Sequence, residues 1–362
     1  MHAAHQLYTA PLPRILFVTA TPASVRAGSG TYVGISALRK ALLNLGFDVQ
    51  LIAPRGNPVS ALSRLWFNFR VRISASATDL IVGFDLDGVF LSPHPTPDIA
   101  CIKGVIAEEL QFERGWKRLS LLLQSWFEKR RVRHATRIIT TSHYAARAIE
   151  RRYGVPAKQI RIVPELIELD HWRAALRQAY PQPRPHPTIL CVAHLYPRKD
   201  IATLLRAISQ LETPASLRIV GVGPELARLR RLSRQLHLED RITFLEHISF
   251  GQLAEEYRSA HIFCLPSRQE GFGIVLLEAM AAGLPIVAAR AGAIPEVVPD
   301  RQCALLITPG DATAFAAALD ALLTRPALRQ QLRDAGLAHV SRYDAPLVAR
   351  QFLAAIGLAA AT

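Results

Sequence analysis

Two carboxylates, Glu270 and Glu278, stand eight positions apart on either side of the turn Gly271-Phe272-Gly273-Ile274. The run Ile274 to Ala282 is apolar on nearly all sides except at Glu278, which predicts a buried helix that stops at Gly283, with Pro285 just beyond. A carboxylate on such a helix is costly unless its oxygens accept hydrogen bonds. Those bonds can come from nearby backbone donors or from a ligand, and the vicinal hydroxyls of a ribose have a matching spacing. Unpaired N–H groups and the positive dipole end favour an anion at the helix start, where Gly271 and Gly273 let the backbone approach it closely. Glu270 would be repelled by a diphosphate, yet it can accept bonds from sugar hydroxyls beside one. The alternative use for Glu270 is as a solvated loop residue. In the ligand reading the two acids bracket a nucleotide-sugar.

The elements that must position these groups are short apolar runs. His261 to Pro266 leads into the turn and Leu284 to Ala289 follows the helix, giving a strand-helix-strand unit. Thr188 to Ala193 is another strand, closed by His194-Leu-Tyr-Pro-Arg198-Lys199. Cations at that strand's carboxyl end would offset the charge of a departing diphosphate. Leu217 to Val220 ends in Gly221-Val-Gly223-Pro224, and further strands are expected at 242–245, 262–266, 286–289 and 304–308. Six strands alternating with helices make a doubly wound parallel sheet.

The first half repeats the pattern. Arg14 to Ala20 reads as a strand, followed by Gly28-Ser-Gly30 and a helix from about Thr31 to Leu45. Val33 occupies the place of the third glycine in a dinucleotide fingerprint, and Pro54-Arg55 stand where that motif needs an acid. Asp85-Leu-Asp87-Gly88 closes a third strand and suits either a turn or a metal ligand pair. The proline-dense stretch 180–187 reads as a linker, so the domains are placed at 1–183 and 184–345, with 346–362 as a final helix.

Half the residues are apolar and a fifth charged, which excludes a disordered chain. No apolar run reaches the length of a membrane span, and the first thirteen residues lack a secretory pattern, so a cytoplasmic location is expected. Cys101, Cys191, Cys264 and Cys303 are far apart in apolar runs and read as buried thiols. The net charge of +14 is uneven: residues 1–183 hold 24 Lys/Arg against 13 Asp/Glu, or +11. Arg114, Lys117, Arg118, Lys129, Arg130, Arg131 and Arg133 cluster around Trp116, Leu119, Leu123 and Trp126, and a second patch runs from Arg64 to Arg72. These helices either pack on the sheet with a solvated basic rim or lie at an anionic bilayer surface.

The string Glu270-Gly-Phe-Gly-Ile-Val-Leu-Leu-Glu278-Ala-Met-Ala-Ala-Gly-Leu-Pro, with Ala291-Gly292-Ala-Ile-Pro-Glu296 after it, resembles the E-x7-E signature of retaining GT-B glycosyltransferases of the family-4 type. The resemblance implies an α/β fold of two Rossmann-like domains facing a cleft, and a final helix that packs back on the first domain. It implies transfer of a sugar from a nucleoside-diphosphate sugar to a hydroxyl acceptor (glycan, lipid-linked or small molecule), with retention and with neither metal nor cofactor. Lys199 matches the family's phosphate-contacting lysine. His194 stands where an arginine is usual, a lack that Arg198 could supply, and Lys103 stands where a histidine often faces the sugar. Glu165-Leu166 replaces an Asn-Gly pair on the acceptor side. Gly28, Gly30, Gly223 and Pro224 fall at ligand-facing turns. The alternatives are a sugar-nucleotide epimerase or hydrolase on the same fold, and a basic module that binds membrane or nucleic acid. The transferase reading expects no nucleic acid and allows peripheral contact with the inner face of the membrane.

Overall fold

A computed structural model of the chain describes residues 13–21, 30–54, 61–71, 79–91, 98–180 and 184–358. It divides into two compact units, the first made of residues 1–166 with 345–362, the second of 167–344.

The first unit runs β1 (Ile15–Val18), α1 (Gly30–Asn44), β2 (Val49–Ile52), α2 (Ala61–Arg70), β3 (Leu80–Phe84), β4 (Asp98–Ile102), α3 (Ile106–Glu109), α4 (Gly115–His134), β5 (Arg137–Thr140), α5 (His143–Tyr153) and β6 (Ile160–Ile162). Its strands form a parallel sheet in the order β2-β1-β3-β4-β5-β6. Strands β1, β3 and β4 are buried along their whole length, as continuous apolar runs in a parallel sheet covered on both faces must be. Ser142 caps α5 by accepting the Ala145 N–H at 3.1 Å, and Gly154 ends it at φ +70°.

The second unit runs α6 (Leu169–Gln178), β7 (Thr188–Val192), α7 (Ile201–Ser209), β8 (Ser216–Val220), α8 (Leu226–Gln235), β9 (Ile242–Leu245), α9 (Phe250–Ser259), β10 (Ile262–Leu265), α10 (Ile274–Ala281), β11 (Ile286–Ala289), α11 (Ile294–Val297), β12 (Ala304–Ile307), α12 (Ala312–Thr324) and α13 (Pro326–His339). Its sheet is parallel in the order β12-β11-β10-β7-β8-β9, the doubly wound arrangement in which chain direction across the sheet reverses between β7 and β10. Finally α14 (Ala345–Ile356) returns to the first unit, where Val348, Phe352 and Leu353 join the core with Ile35 and Leu38 of α1.

The units divide at Leu166 and Ile167, earlier than the proline-dense stretch that the sequence suggested. The reason is α6. Trp172 on that helix is buried, with its ring 5.2 Å from Phe250 and 5.4 Å from Tyr257, so α6 belongs to the second core before the prolines are reached.

All four cysteines are buried and free. Among the described residues no helix is long and apolar enough to cross a membrane. Asp85 and Asp87 serve the turn reading. Asp85 has φ +53°, and both oxygens of Asp87 are engaged, by Arg64 at 2.9 Å each, by Asn68 and by the Ala20 N–H. Neutralised by a guanidinium, Asp87 has no lone pairs to spare for a cation. Arg131, grouped with the basic rim from the sequence, is in fact buried: its guanidinium grips Asp98 at 2.5 and 2.6 Å and donates to the carbonyls of Ile99 and Asp87.

Candidate active site

The reversal point between β7 and β10 is where ligands of open α/β sheets collect, and the loops leaving the two strands carry Lys199 and Glu270. After β7 the chain makes a single tight turn, Pro197–Lys199, and Asp200 takes a left-handed conformation (φ +48°) to start α7. After β10 the loop is laced to that turn. The Arg268 N–H donates to the Arg198 carbonyl at 2.8 Å, and the Arg268 side chain donates to Asp200 at 2.9 Å. The lacing brings Lys199 and Glu270 together, and the Lys199 ammonium donates to Glu270 Oε1 in a tight ion pair. Arg198 Nη1 lies 3.9 Å from the other oxygen.

Glu270 is buried. Burial alone would raise its carboxyl, but the charges of Lys199 and Arg198 outweigh it and hold the group below the ordinary value, so it is ionised at neutral pH. Its backbone is clamped as well: the Ala293 N–H donates to its carbonyl at 3.0 Å, and a Cβ built on Gly292 would fall 2.4 Å from that oxygen. Gly292 is therefore required by space as well as by its φ of +57°.

Gly273, at φ +94°, precedes the first residue of α10, Ile274. Phe272 turns its ring into the core, edge-on to Tyr343 at 5.7 Å, which leaves its backbone beside Gly271 and Gly273 at the helix mouth. Glu278 sits one turn along and is half-buried. Burial pushes its carboxyl up to about 7, against a hydrogen bond from the Tyr257 hydroxyl at 2.8 Å that acts the other way. Tyr257 escaped the sequence reading because nothing in its spacing on α9 links it to a residue 21 positions later. Gln269 escaped it too: its Oε1 is buried without a hydrogen-bond partner among the described residues.

His194 follows β7. Burial, and then the charge of Lys199, hold its imidazole below the usual value, so it is neutral at neutral pH and adds no positive charge. The second cation of the site is Arg198. Gly221 and Gly223 pack on the backbone of Ala193 and Leu195, where a Cβ would meet main-chain atoms at 2.1 and 2.5 Å. They hold the loops after β7 and β8 together, and Pro224 follows in the second of these loops.

Gly28, Gly30 and Lys103 belong to the first unit. Gly28 lies outside the described residues, and Gly30 opens α1, where an added Cβ would meet nothing within 4 Å among the described residues. Lys103, at the carboxyl end of β4, is buried and donates to Glu165 Oε2 at 2.9 Å, and its backbone N–H donates to Asp85. Burial alone would lower the ammonium, but Glu165 more than offsets this and it stays charged. Gly34 of α1 makes room for the pair, since a Cβ there would lie 2.5 Å from Glu165.

Comparison with known proteins places these features in company. Residues 173–339 match the family model for glycosyl transferases group 1, and residues 28–171 match that for Glycosyltransferase Family 4. An MMP alpha-(1->4)-mannosyltransferase of Mycolicibacterium hassiacum is 31% identical over 253 residues, covering 66% of this chain and 60% of that protein. A GDP-mannose-dependent alpha-(1-6)-phosphatidylinositol monomannoside mannosyltransferase of Mycobacterium tuberculosis is 31% identical over 230 residues, covering 59% of this chain and 58% of that protein. The chain thus spans about 60% of the length of these curated relatives. In fold it resembles a sucrose-phosphate synthase from Thermosynechococcus elongatus, with a TM-score of 0.78, 22% identity, and coverage of 94% of this chain and 97% of that one.

Proposed function

Because the chain belongs to the group 1 glycosyl transferases, with a Family 4 region ahead, we propose that it transfers a sugar from a nucleoside-diphosphate sugar to a hydroxyl acceptor. One observation carries this reading: the Lys199–Glu270 pair, with Arg198 beside it, lies at the sheet's reversal point and just before the start of α10. A buried carboxylate beside cations can hold sugar hydroxyls while the cations face phosphate. In this reading Glu270 orients the sugar and Glu278 accepts from the ribose hydroxyls. Lys199 and Arg198 take up charge on the leaving diphosphate, with the N–H groups of Phe272 and Gly273 sharing that work, and neutral His194 serves as a hydrogen-bond donor. Fixed cations and the helix end then do what a divalent ion does elsewhere, so the transfer is metal-independent. Retention proceeds by front-face attack, since no second carboxylate among the described residues is identifiable as a nucleophile. The basic first 183 residues favour a lipid-linked or otherwise anionic acceptor met at a membrane surface.

Thermal unfolding with UDP, GDP, ADP and dTDP, each alone and as a sugar conjugate, tests the donor. A ligand at a hundred times its dissociation constant adds about 2.7 kcal/mol of stability. One base is expected to stand out, and a transition that none of them moves would remove the transferase reading. Nucleotide-sugar binding is also expected to tighten as pH rises through about 7, because ribose hydroxyls meet an acceptor-only carboxylate once Glu278 has lost its proton. Glu278→Gln should flatten that rise. Titration calorimetry across this range would refute the ribose contact if wild type shows no pH step.

A further inference from the structure

Helices α2 and α4 of the first unit are turned inside out for surface helices. Along α4 the residues Trp116, Leu119, Leu123 and Trp126 are spaced three and four apart, so they share one face, and that face is exposed: Trp116 is 86% and Trp126 58% accessible. The buried face of the same helix carries Glu128, Arg131 and Val132. On α2, Leu62, Trp66 and Phe69 form a second exposed stripe, with Trp66 59% accessible, while the buried residue is Asn68. A helix placed by hydrophobic burial alone does the reverse.

Rings join the two stripes into one surface. Trp66 stacks on Phe69 at 6.2 Å, Phe69 meets Phe90 at 6.2 Å, Phe90 meets Phe127 at 5.6 Å, and Phe127 meets Trp126 at 4.8 Å. The rim is cationic: Arg114, Arg118 and Arg130 are exposed along α4, and Arg70 lies over the Trp66 ring at 5.4 Å. The one acid within α4, Glu128, is buried. Polar anchors fix the orientation, since turning α4 to hide its tryptophans would strip Asp98 of Arg131, and turning α2 would strip Asp87 of Arg64 and Asn68.

We infer that this surface docks on an anionic lipid bilayer, with Trp66, Phe69, Trp116 and Trp126 at headgroup depth and the arginines on lipid phosphates. Tryptophan on an apolar face edged by cations is the composition of a helix lying in the bilayer interface. A continuous aromatic surface of this kind marks an interaction site. A second copy of the chain suits it poorly, because the same arginines would oppose one another across the contact. The inference rests on the reading of an acceptor met at the membrane, and adds to it a defined face that inserts apolar side chains as well as offering charge.

The test is flotation of the full chain with phosphatidylcholine vesicles, with and without phosphatidylglycerol. Wild type is expected to float with the anionic vesicles and to shift its tryptophan emission to the blue. Trp116→Ser with Trp126→Ser should lower partitioning by on the order of tenfold, and Arg118→Glu with Arg130→Glu should erase the preference for phosphatidylglycerol. All four side chains are exposed, so the unfolding midpoints should stay at the wild-type value. Wild type that ignores both vesicles, or variants that bind as wild type does, would overturn the inference. So would a concentration-dependent dimer that the tryptophan substitutions abolish. Nucleotide-induced stabilisation of the same samples reports on the transferase reading separately, because these residues lie outside the donor loops.

Discussion

Lys199→Ala is expected to slow sugar transfer by on the order of 10²- to 10³-fold, the usual effect of removing one charge partner of a transition state. The loss should fall on kcat more than on KM, because the ammonium gains most when the phosphate bond has begun to break. The geometry adds a second consequence. Without Lys199, Glu270 stays buried, and among the described residues Arg198, 3.9 Å away, is the cation left beside it. Glu270 is held below its ordinary pKa in the folded protein, so its stabilising contribution is present above the ordinary carboxylate value and lost as pH falls through the lowered one. The variant should therefore lose stability at neutral pH and show a weaker further fall on acidification. Single-turnover kinetics together with unfolding at two pH values would check both parts, and unchanged turnover would remove Lys199 from the mechanism.

Arg131→Met should cost about 3–5 kcal/mol of the first unit's stability, the effect of breaking a buried ion pair from one side. The substitution leaves the Asp98 carboxylate buried without its cation and leaves the carbonyls of Ile99 and Asp87 without the guanidinium N–H groups that serve them. Against a total of about 5–15 kcal/mol for a typical domain, this is severe. Adding Asp98→Leu should restore much of the loss, since two apolar residues strand no charge. Denaturant unfolding of the four proteins in the cycle decides it. A single variant as stable as wild type would show that Asp98 is satisfied in another way.

That second prediction concerns a residue that the sequence misassigns, and the reason is physical. Arg131 stands in a run with Lys129, Arg130 and Arg133, and linear spacing cannot tell a guanidinium in solvent from one that reaches the first residue of a neighbouring strand 33 positions earlier. The same limit hid the Lys103–Glu165 pair: both were noticed as departures from a pattern, 62 positions apart, without any sign that each is the other's partner. The loops after β7 and β10 were legible because their signals are local. An apolar run ending in a lysine-bearing turn, and another ending in Glu270 and two glycines, each predict a strand's carboxyl end. Parallel pairing of β7 with β10 then brings them together. The apolar stripes of α2 and α4 were equally visible, but a stripe does not say whether it faces a core or the outside; the polar residues anchored beneath it do. The unit boundary was missed because a proline-dense stretch breaks elements without deciding which core the preceding helix joins.

The path of α14 bears on how the protein is made. The second unit is one continuous stretch of chain, so it can close its sheet as soon as that stretch has left the ribosome. The first unit cannot. Its strands are synthesised first, but the surface formed by Ile35, Leu38 and their neighbours waits for Phe352 and Leu353, which emerge only after the whole second unit. During that interval the nascent chain carries an uncovered apolar patch in its earliest-made half, so a ribosome stalled within the second unit would hold strands of the first unit that still lack their last covering helix.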